Sequence, residues 1–194
     1  MKTALRLMAV IVLSMMATTA MAQDWDIFEL NGKVKSVTYY DGCCPFTGVS
    51  TGSYERQVVT FDAYGRVITP RNGKIVRNNL GVAKNIQYYF NEVESGEQEL
   101  IYNSMGLLIH INSAGCECCT NTELTYNSNG CVSSMMTIGE GEGDGWTEMI
   151  YYEYLSFDSR GNWTKRIRTS TTTSGYDNSS WTETETETRT IVYY

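Results

Sequence analysis

Proline and histidine are nearly missing: two prolines and one histidine occur in 194 residues. So few prolines exclude a proline-rich linker array. A lone histidine excludes most catalysis or metal binding that needs paired imidazoles. Basic residues are outnumbered, 15 against 22 acidic, and form no run. That excludes a nucleic-acid surface, which depends on clustered Lys and Arg. Past residue 22 no apolar run approaches the roughly 20 residues of a membrane-crossing helix. Nor does any stretch there hold apolar residues at helical spacing over three turns. Phosphate loops and dinucleotide fingerprints are absent as well, and no cofactor is expected.

The first 22 residues read as an address. Lys2 and Arg6 precede an apolar stretch from Leu7 to Met16, and Ala20-Met21-Ala22 supplies the small-residue exit of a secretory signal peptide. Cleavage before Gln23 is expected, leaving a single domain over residues 23–194 that is exported to the periplasm, the cell surface or the medium. Cleavage would remove two bases and no acids, so the remainder is more acidic still. Such a charge disperses a protein without naming its partner.

The rest alternates short Val-, Ile-, Thr-, Tyr- and Phe-rich runs with Gly, Asn, Asp and Ser. Strands are expected over 33–40, 54–61, 66–69, 84–92, 97–103, 107–112, 122–127, 131–138, 146–157, 162–173 and 181–194. Short connections between them predict an all-β fold, an antiparallel meander of sequential hairpins in a twisted, rolled sheet. Four turns share one form, an aromatic residue, Asp or Asn, two free positions and Gly. They are Phe61-Asp62-Ala63-Tyr64-Gly65, Tyr102-Asn103-Ser104-Met105-Gly106, Tyr126-Asn127-Ser128-Asn129-Gly130 and Phe157-Asp158-Ser159-Arg160-Gly161. In each, the aromatic closes a strand, Asx bonds its own backbone, and Gly supplies positive φ.

These four units resemble the YD-repeat (RHS-like) proteins, in which a Tyr-Asp step and a Gly turn precede a β-strand. The likeness spans roughly residues 57–167. Residues 31–34 and 158–165 also resemble segments of small secreted proteins of gut-type bacteria. The resemblance implies a sheet coiled hairpin by hairpin. It does not imply the cargo shell of the larger family members, because four copies cannot enclose a protein.

The segment Thr182–Thr190 alternates strictly, so its two faces differ. Pairing Arg168 with Glu185 and Arg166 with Glu187 places four charges on one face, read as a solvated one, with Trp163, Ile167, Val192 and Tyr194 on the other. Tyrosine comes in doublets at 39–40, 88–89, 151–152 and 193–194, each aiming one ring at either face. The outward rings and the indoles make Tyr40, Tyr89, Tyr152, Trp146, Trp163 and Trp181 candidates for an aromatic ligand platform; simple strand packing is the competing reading.

An even number of cysteines in an exported chain favours disulfides. The candidates are Cys43, Cys44, Cys116, Cys118, Cys119 and Cys131, with a thiolate metal site and free thiols as the other readings. Their spacing does not fit the usual zinc pattern. Glu140, Glu142 and Asp144 mimic the first ligands of an EF-hand loop, but Tyr151 stands where the bidentate Glu belongs. Gly48-Val49-Ser50-Thr51-Gly52 matches a nucleophile elbow only as a string, and His110 reads as a structural residue on a strand.

Together these observations favour a non-enzymatic binding or structural module of the cell envelope or extracellular space. The expected partner is an envelope glycan or a surface protein. Two alternatives are a polysaccharide hydrolase working through a carboxylate pair, and an assembly module pairing through its C-terminal strand as a sheet edge.

Overall fold

Period-two alternation and frequent Asx-Gly breaks leave this chain one economical solution, strands folded back on their predecessors. The structure is a computed structural model that describes residues 24–41, 44–46, 50–69, 73–90, 93–115, 118–141 and 145–194. The expected signal peptide lies outside these residues. The strands are Val34–Tyr40 (β1), Thr51–Ser53 (β2), Arg56–Thr60 (β3), Gly73–Arg77 (β4), Ala83–Phe90 (β5), Val93–Tyr102 (β6), Leu108–Gly115 (β7), Cys118–Tyr126 (β8), Val132–Gly141 (β9), Trp146–Phe157 (β10), Trp163–Ser174 (β11) and Ser180–Tyr193 (β12). They form one antiparallel sheet in the order β2-β3-β1-β12-β11-β10-β9-β8-β7-β6-β5-β4, which does not close. A single 3-10 turn, Asp26–Phe28, is the sole helical element among the described residues.

All four aromatic-Asx-x-x-Gly segments make the same reversal. In the first, the Asp62 side chain accepts from the Tyr64 and Arg66 N–H groups at 2.8 and 3.0 Å, and the Gly65 N–H donates to the Asp62 carbonyl. Asn103, Asn127 and Asp158 repeat these bonds. The four glycines, Gly65, Gly106, Gly130 and Gly161, have φ between 78° and 83°. A fifth copy joins β4 to β5: Asn78 accepts from the Leu80 and Val82 N–H groups, and Gly81 has φ 81°. Arg77 occupies its aromatic position. All five reversals lie at the same end of the sheet, because successive hairpins alternate ends.

Three expectations are corrected. Residues 66–69 contribute only an isolated bridge from Val67 to Phe61, because the Val67 N–H is taken by the Asp24 carboxylate at 2.6 Å. The edge strands β2 and β4 were not anticipated. The C-terminal strand β12 is an edge over only part of its length: β1 pairs with Arg189–Tyr193, Val37 opposite Ile191, and β11 pairs with Ser180–Thr188, Arg166 opposite Glu187. Pairing with β1 therefore stops at Arg189, and the Thr/Glu stretch Ser180–Glu187 is covered by a strand on its β11 side only, among the described residues.

The sheet curls around residues 25–30. Trp25, Ile27, Phe28 and Leu30 are buried against Val37, Phe61, Ile86, Leu100, Leu108 and Trp163. Burying side chains of this size contributes about 1.5–3 kcal/mol each. Phe28 packs edge-on against Phe46 and Phe61, with ring centroids 5.4 and 5.5 Å apart. Gly65 is needed twice over, because its φ of 82° disfavours side chains and a Cβ there would meet the Trp25 ring at 3.0 Å.

Candidate functional site

The segment that fills the concave face is tied to the row of reversals by polar bonds. Asp24 takes both guanidinium nitrogens of Arg77, at 2.6 and 2.5 Å, and also the Val67 N–H. Asn31 and Asn162 exchange bonds, N–H to Oδ1 at 2.5 Å and Nδ2 to carbonyl at 3.0 Å. Glu29, held at φ 52°, anchors the middle. One carboxylate oxygen accepts from the Val132 N–H at 2.7 Å and the Tyr154 hydroxyl at 3.0 Å. The other accepts from Trp163 Nε1 at 3.0 Å and Arg166 Nη1 at 3.1 Å.

Around that carboxylate planar groups stack. The Arg166 guanidinium lies 3.7 Å from the Tyr152 ring and 4.1 Å from the Trp163 ring, and Arg189 lies 3.8 Å from Trp163. Arg166 Nε also donates to Glu187 at 2.5 Å. Arg189 donates to the Phe28, Glu29 and Trp163 carbonyls, satisfying the end of the 3-10 turn. Burial of the ions is thus compensated by charge pairing and hydrogen bonds. Burial pushes the Tyr152 hydroxyl up to about 12, against the pull of Arg166. It also raises the Asp26 carboxyl above its ordinary value, with Asp24 adding to the effect.

The register expected from sequence is the one found, Arg168 opposite Glu185 and Arg166 opposite Glu187. The face is not. Arg166 and Glu187 are buried on the concave side, and Trp163 joins them there at 1% exposure. Alternation reveals which residues share a face, whereas coverage depends on residues 25–30, far away in sequence.

Beside this stack lies a cavity of about 200 Å³. Leu108, Ile111, Leu124, Met135, Tyr152 and Trp163 form its apolar wall, Pro45 and Phe46 stand across it, and Asp26 and Arg168 mark its polar edge. An apolar cavity slightly smaller than this accepts a benzene-sized group. Past the cavity the concave face turns hydrophilic. Thr122 meets Thr137 at 3.0 Å, Gln98 donates to Ser113 at 3.3 Å, and Arg168 reaches Glu148 at 2.6 Å and Ser170 at 3.0 Å. Trp146 and Trp181 stand on this stretch, Trp146 against Gly139 and Trp181 opposite Thr172, itself opposite Glu148.

Of the six aromatic candidates the fold therefore gathers four, Trp146, Tyr152, Trp163 and Trp181, on one face. Trp163 is a core residue instead of a platform, a correction that follows from its cover by Arg166 and Arg189. Tyr40 and Tyr89 sit on the convex side, where their hydroxyls meet Thr190 and Gln87. The convex face also holds a broad groove of about 480 Å³ between Glu97, Glu99, Asn112, Asn121, Ile138 and Glu140. His110 lies on β7 opposite Ile101 and Glu123, away from the concave cavity.

Cys119 is an exposed free thiol and Cys131 a buried one, which corrects the disulfide expectation for these two. They flank β8 at opposite ends, roughly 25 Å apart along the strand, whereas a bridge needs Cα atoms within about 7 Å. Cys44 is buried and its Sγ donates to the Phe46 carbonyl at 3.6 Å. Cys43, Cys116 and the side chain of Cys118 lie outside the described residues, as do Glu142 and Asp144 of the calcium-like loop. Glu140, next to last in β9, is exposed. Among the described residues no three His, Cys, Asp or Glu side chains are grouped to hold a metal ion.

Sequence reasoning missed Asp24, Glu29, Arg77 and Arg189. The one signal available was the apolar pattern Trp25, Ile27, Phe28, Leu30 directly after the expected cleavage point.

No protein-family model matches the chain, and no curated protein matches it. Among solved structures it is similar to a porin-like protein from Bacteroides vulgatus ATCC 8482, at 11% identity and a TM-score of 0.40, over 83% of this chain and 98% of that one.

Proposed function

We propose that the protein is an exported, non-catalytic binding module of the cell envelope or extracellular space, with an envelope glycan as ligand on the concave face. The observation that carries this is the composition of that face. A ring-sized cavity with one apolar wall and a charged side, formed by Asp26, Glu29, Arg166, Arg168 and Glu187, continues into rows of hydroxyls flanked by Trp146 and Trp181, matching a molecule with apolar faces and hydroxyl edges. The buried carboxylates Asp24, Glu29 and Glu187 are occupied by Arg77, Arg166 and backbone donors, which favours recognition over acid–base chemistry. Export rests on the basic, apolar and Ala-x-Ala pattern of residues 1–22. Glu97, Glu99, Asn112, Asn121 and Glu123 on the convex face stand where a membrane-spanning barrel needs an apolar band, so this reading keeps the sheet outside the bilayer. The five equivalent reversals support kinship with YD-repeat proteins.

Titration of purified protein with envelope oligosaccharides, followed by tryptophan fluorescence and calorimetry, tests the proposal. Trp146→Ala and Trp181→Ala are expected to abolish binding, and Tyr40→Ala to leave it intact. Binding unaffected by either tryptophan would overturn the concave site, and steady release of reducing ends from polysaccharide would overturn the non-catalytic role.

A further inference from the structure

The position just before each turn glycine projects from the end of the sheet. In three of the five reversals it holds a large apolar residue: Tyr64 at 66% exposure, Leu80 at 81% and Met105 at 78%. These three are neighbours. The Leu80 turn leads into β5 and the Met105 turn out of β6, its partner strand. Arg66 Nη2 comes within 3.9 Å of where a Gly81 Cβ would stand, and Asp24 bridges Val67 to Arg77. Ile68 adds another exposed apolar side chain beside Tyr64. Turn tips are ordinarily polar, because nothing in the fold covers them. In the two remaining turns the same position holds Asn129 and Arg160.

Charge is segregated along the same axis. Of the exposed cations among the described residues, Lys33, Lys35, Arg66, Lys84, Arg160 and Lys165 lie at or within a few residues of this end, and Arg56 and Lys74 lie toward the other. Of its carboxylates, Asp24 is neutralised by Arg77, Asp26 faces the concave cavity, and Asp62 and Asp158 keep their charge while bonding their own turns. At the opposite end stand the exposed acids Asp41, Glu55, Glu140, Asp177, Glu183 and Glu185. A chain of net charge −7 thus gathers most of its described exposed bases at one end, and that end carries the apolar tips.

We propose that this end docks on an anionic lipid surface, with Tyr64, Leu80 and Met105 entering the interface and the surrounding Lys and Arg side chains meeting the headgroups. Short apolar tips ringed by cations suit a bilayer interface, where apolar insertion and headgroup attraction add. The acidic far end is repelled by the same surface, which fixes the orientation and leaves the open concave trough directed away from the membrane.

Vesicle flotation with purified protein tests this. Phosphatidylcholine vesicles containing phosphatidylglycerol are expected to retain the protein at low salt, and pure phosphatidylcholine vesicles are not. Retention should weaken as salt screens the headgroups. The triple variant Tyr64→Ser, Leu80→Ser, Met105→Ser should lower partitioning by about tenfold or more. Arg66→Gln and Lys84→Gln should each lower it about fivefold. Tyr176→Ser, in the exposed turn at the opposite end, serves as the control and should change nothing. Retention on neither vesicle type would assign the row to a protein partner and overturn the proposal. Undiminished retention of the triple variant, or an equal loss in Tyr176→Ser, would overturn it as well.

Discussion

Replacing Glu29 by Gln tests the account of how the concave face is held. The substitution preserves shape and the backbone preference at φ 52°, so its effect isolates the charge and the second acceptor oxygen. In the native protein four donors converge on the carboxylate, from Val132, Tyr154, Trp163 and Arg166. An amide offers a single oxygen, so its NH2 group must face either the Trp163 and Arg166 donors or the Val132 and Tyr154 donors. The side chains of Arg166 and Glu29 are 6% and 14% exposed, so water cannot make good the loss. Breaking a buried pair costs about 3–5 kcal/mol. Arg166 keeps Glu187 at 2.5 Å, which places the expected loss at the lower end of that range. For a domain of this size about 3 kcal/mol corresponds to a fall in Tm of roughly 6–12 °C. Urea unfolding followed by tryptophan fluorescence should show a lower midpoint at an unchanged slope. A double-mutant cycle with Arg166→Met should give a coupling of about 0.5–3 kcal/mol. A loss below about 1 kcal/mol, the range of exposed ion pairs, would refute the reasoning.

Gly106→Ala should destabilise by about 1–2 kcal/mol through its left-handed backbone alone. Gly65→Ala should cost more, since its Cβ would also stand 3.0 Å from the Trp25 ring while nothing lies within 4 Å at Gly106; equal shifts in Tm would refute the contact. Asp26 has its carboxyl raised above 3.8 by burial and by Asp24, so the native state binds that proton more tightly than the unfolded chain. Stability is therefore lost as pH climbs from 3.8 through the higher folded value, and Asp26→Asn should raise Tm at pH 7, with the difference fading below pH 3.8. A variant less stable at pH 7 would contradict this. Cys119 should react with iodoacetamide in the native, unreduced protein and Cys131 only after unfolding, as peptide mass mapping can read; prompt labelling of Cys131 would refute its burial.

The sheet was largely legible in the sequence because its determinants are local. Asp62, Asn103, Asn127 and Asp158 make their bonds within four residues, so each reversal announces itself in a five-residue string. The fifth, at Asn78, departs from that string because Arg77 replaces the aromatic. Its side chain is employed instead in the ion pair with Asp24, 53 residues away. The β11–β12 register could likewise be read from charge alternation. What alternation could not supply was the covered face. That is decided by Trp25, Ile27, Phe28 and Leu30, which show no period long enough to announce their position. The same gap hides the pairing of Arg189–Tyr193 with β1, a strand that begins some 150 residues earlier in the chain.

Residues 24–31 therefore connect fold and site. Each hairpin of the meander can form from contacts near in sequence, but no hairpin specifies how far the sheet curls. The bonds from Asp24 to β4, from Glu29 to β9, β10 and β11, and from Asn31 to the last reversal span 53, 103, 125, 137 and 131 residues. Such long closures reward the chain only after the hairpins exist, so this segment sets curvature on a sheet already paired. Curvature in turn sets the distance between the Leu124–Met135 wall and Phe46 across the cavity, and with it the size of any group the concave face admits. Binding on that face and stability of the Glu29 anchor should be coupled in sign: whatever loosens Glu29 widens the trough, and a ligand that bridges the trough stabilises the anchor.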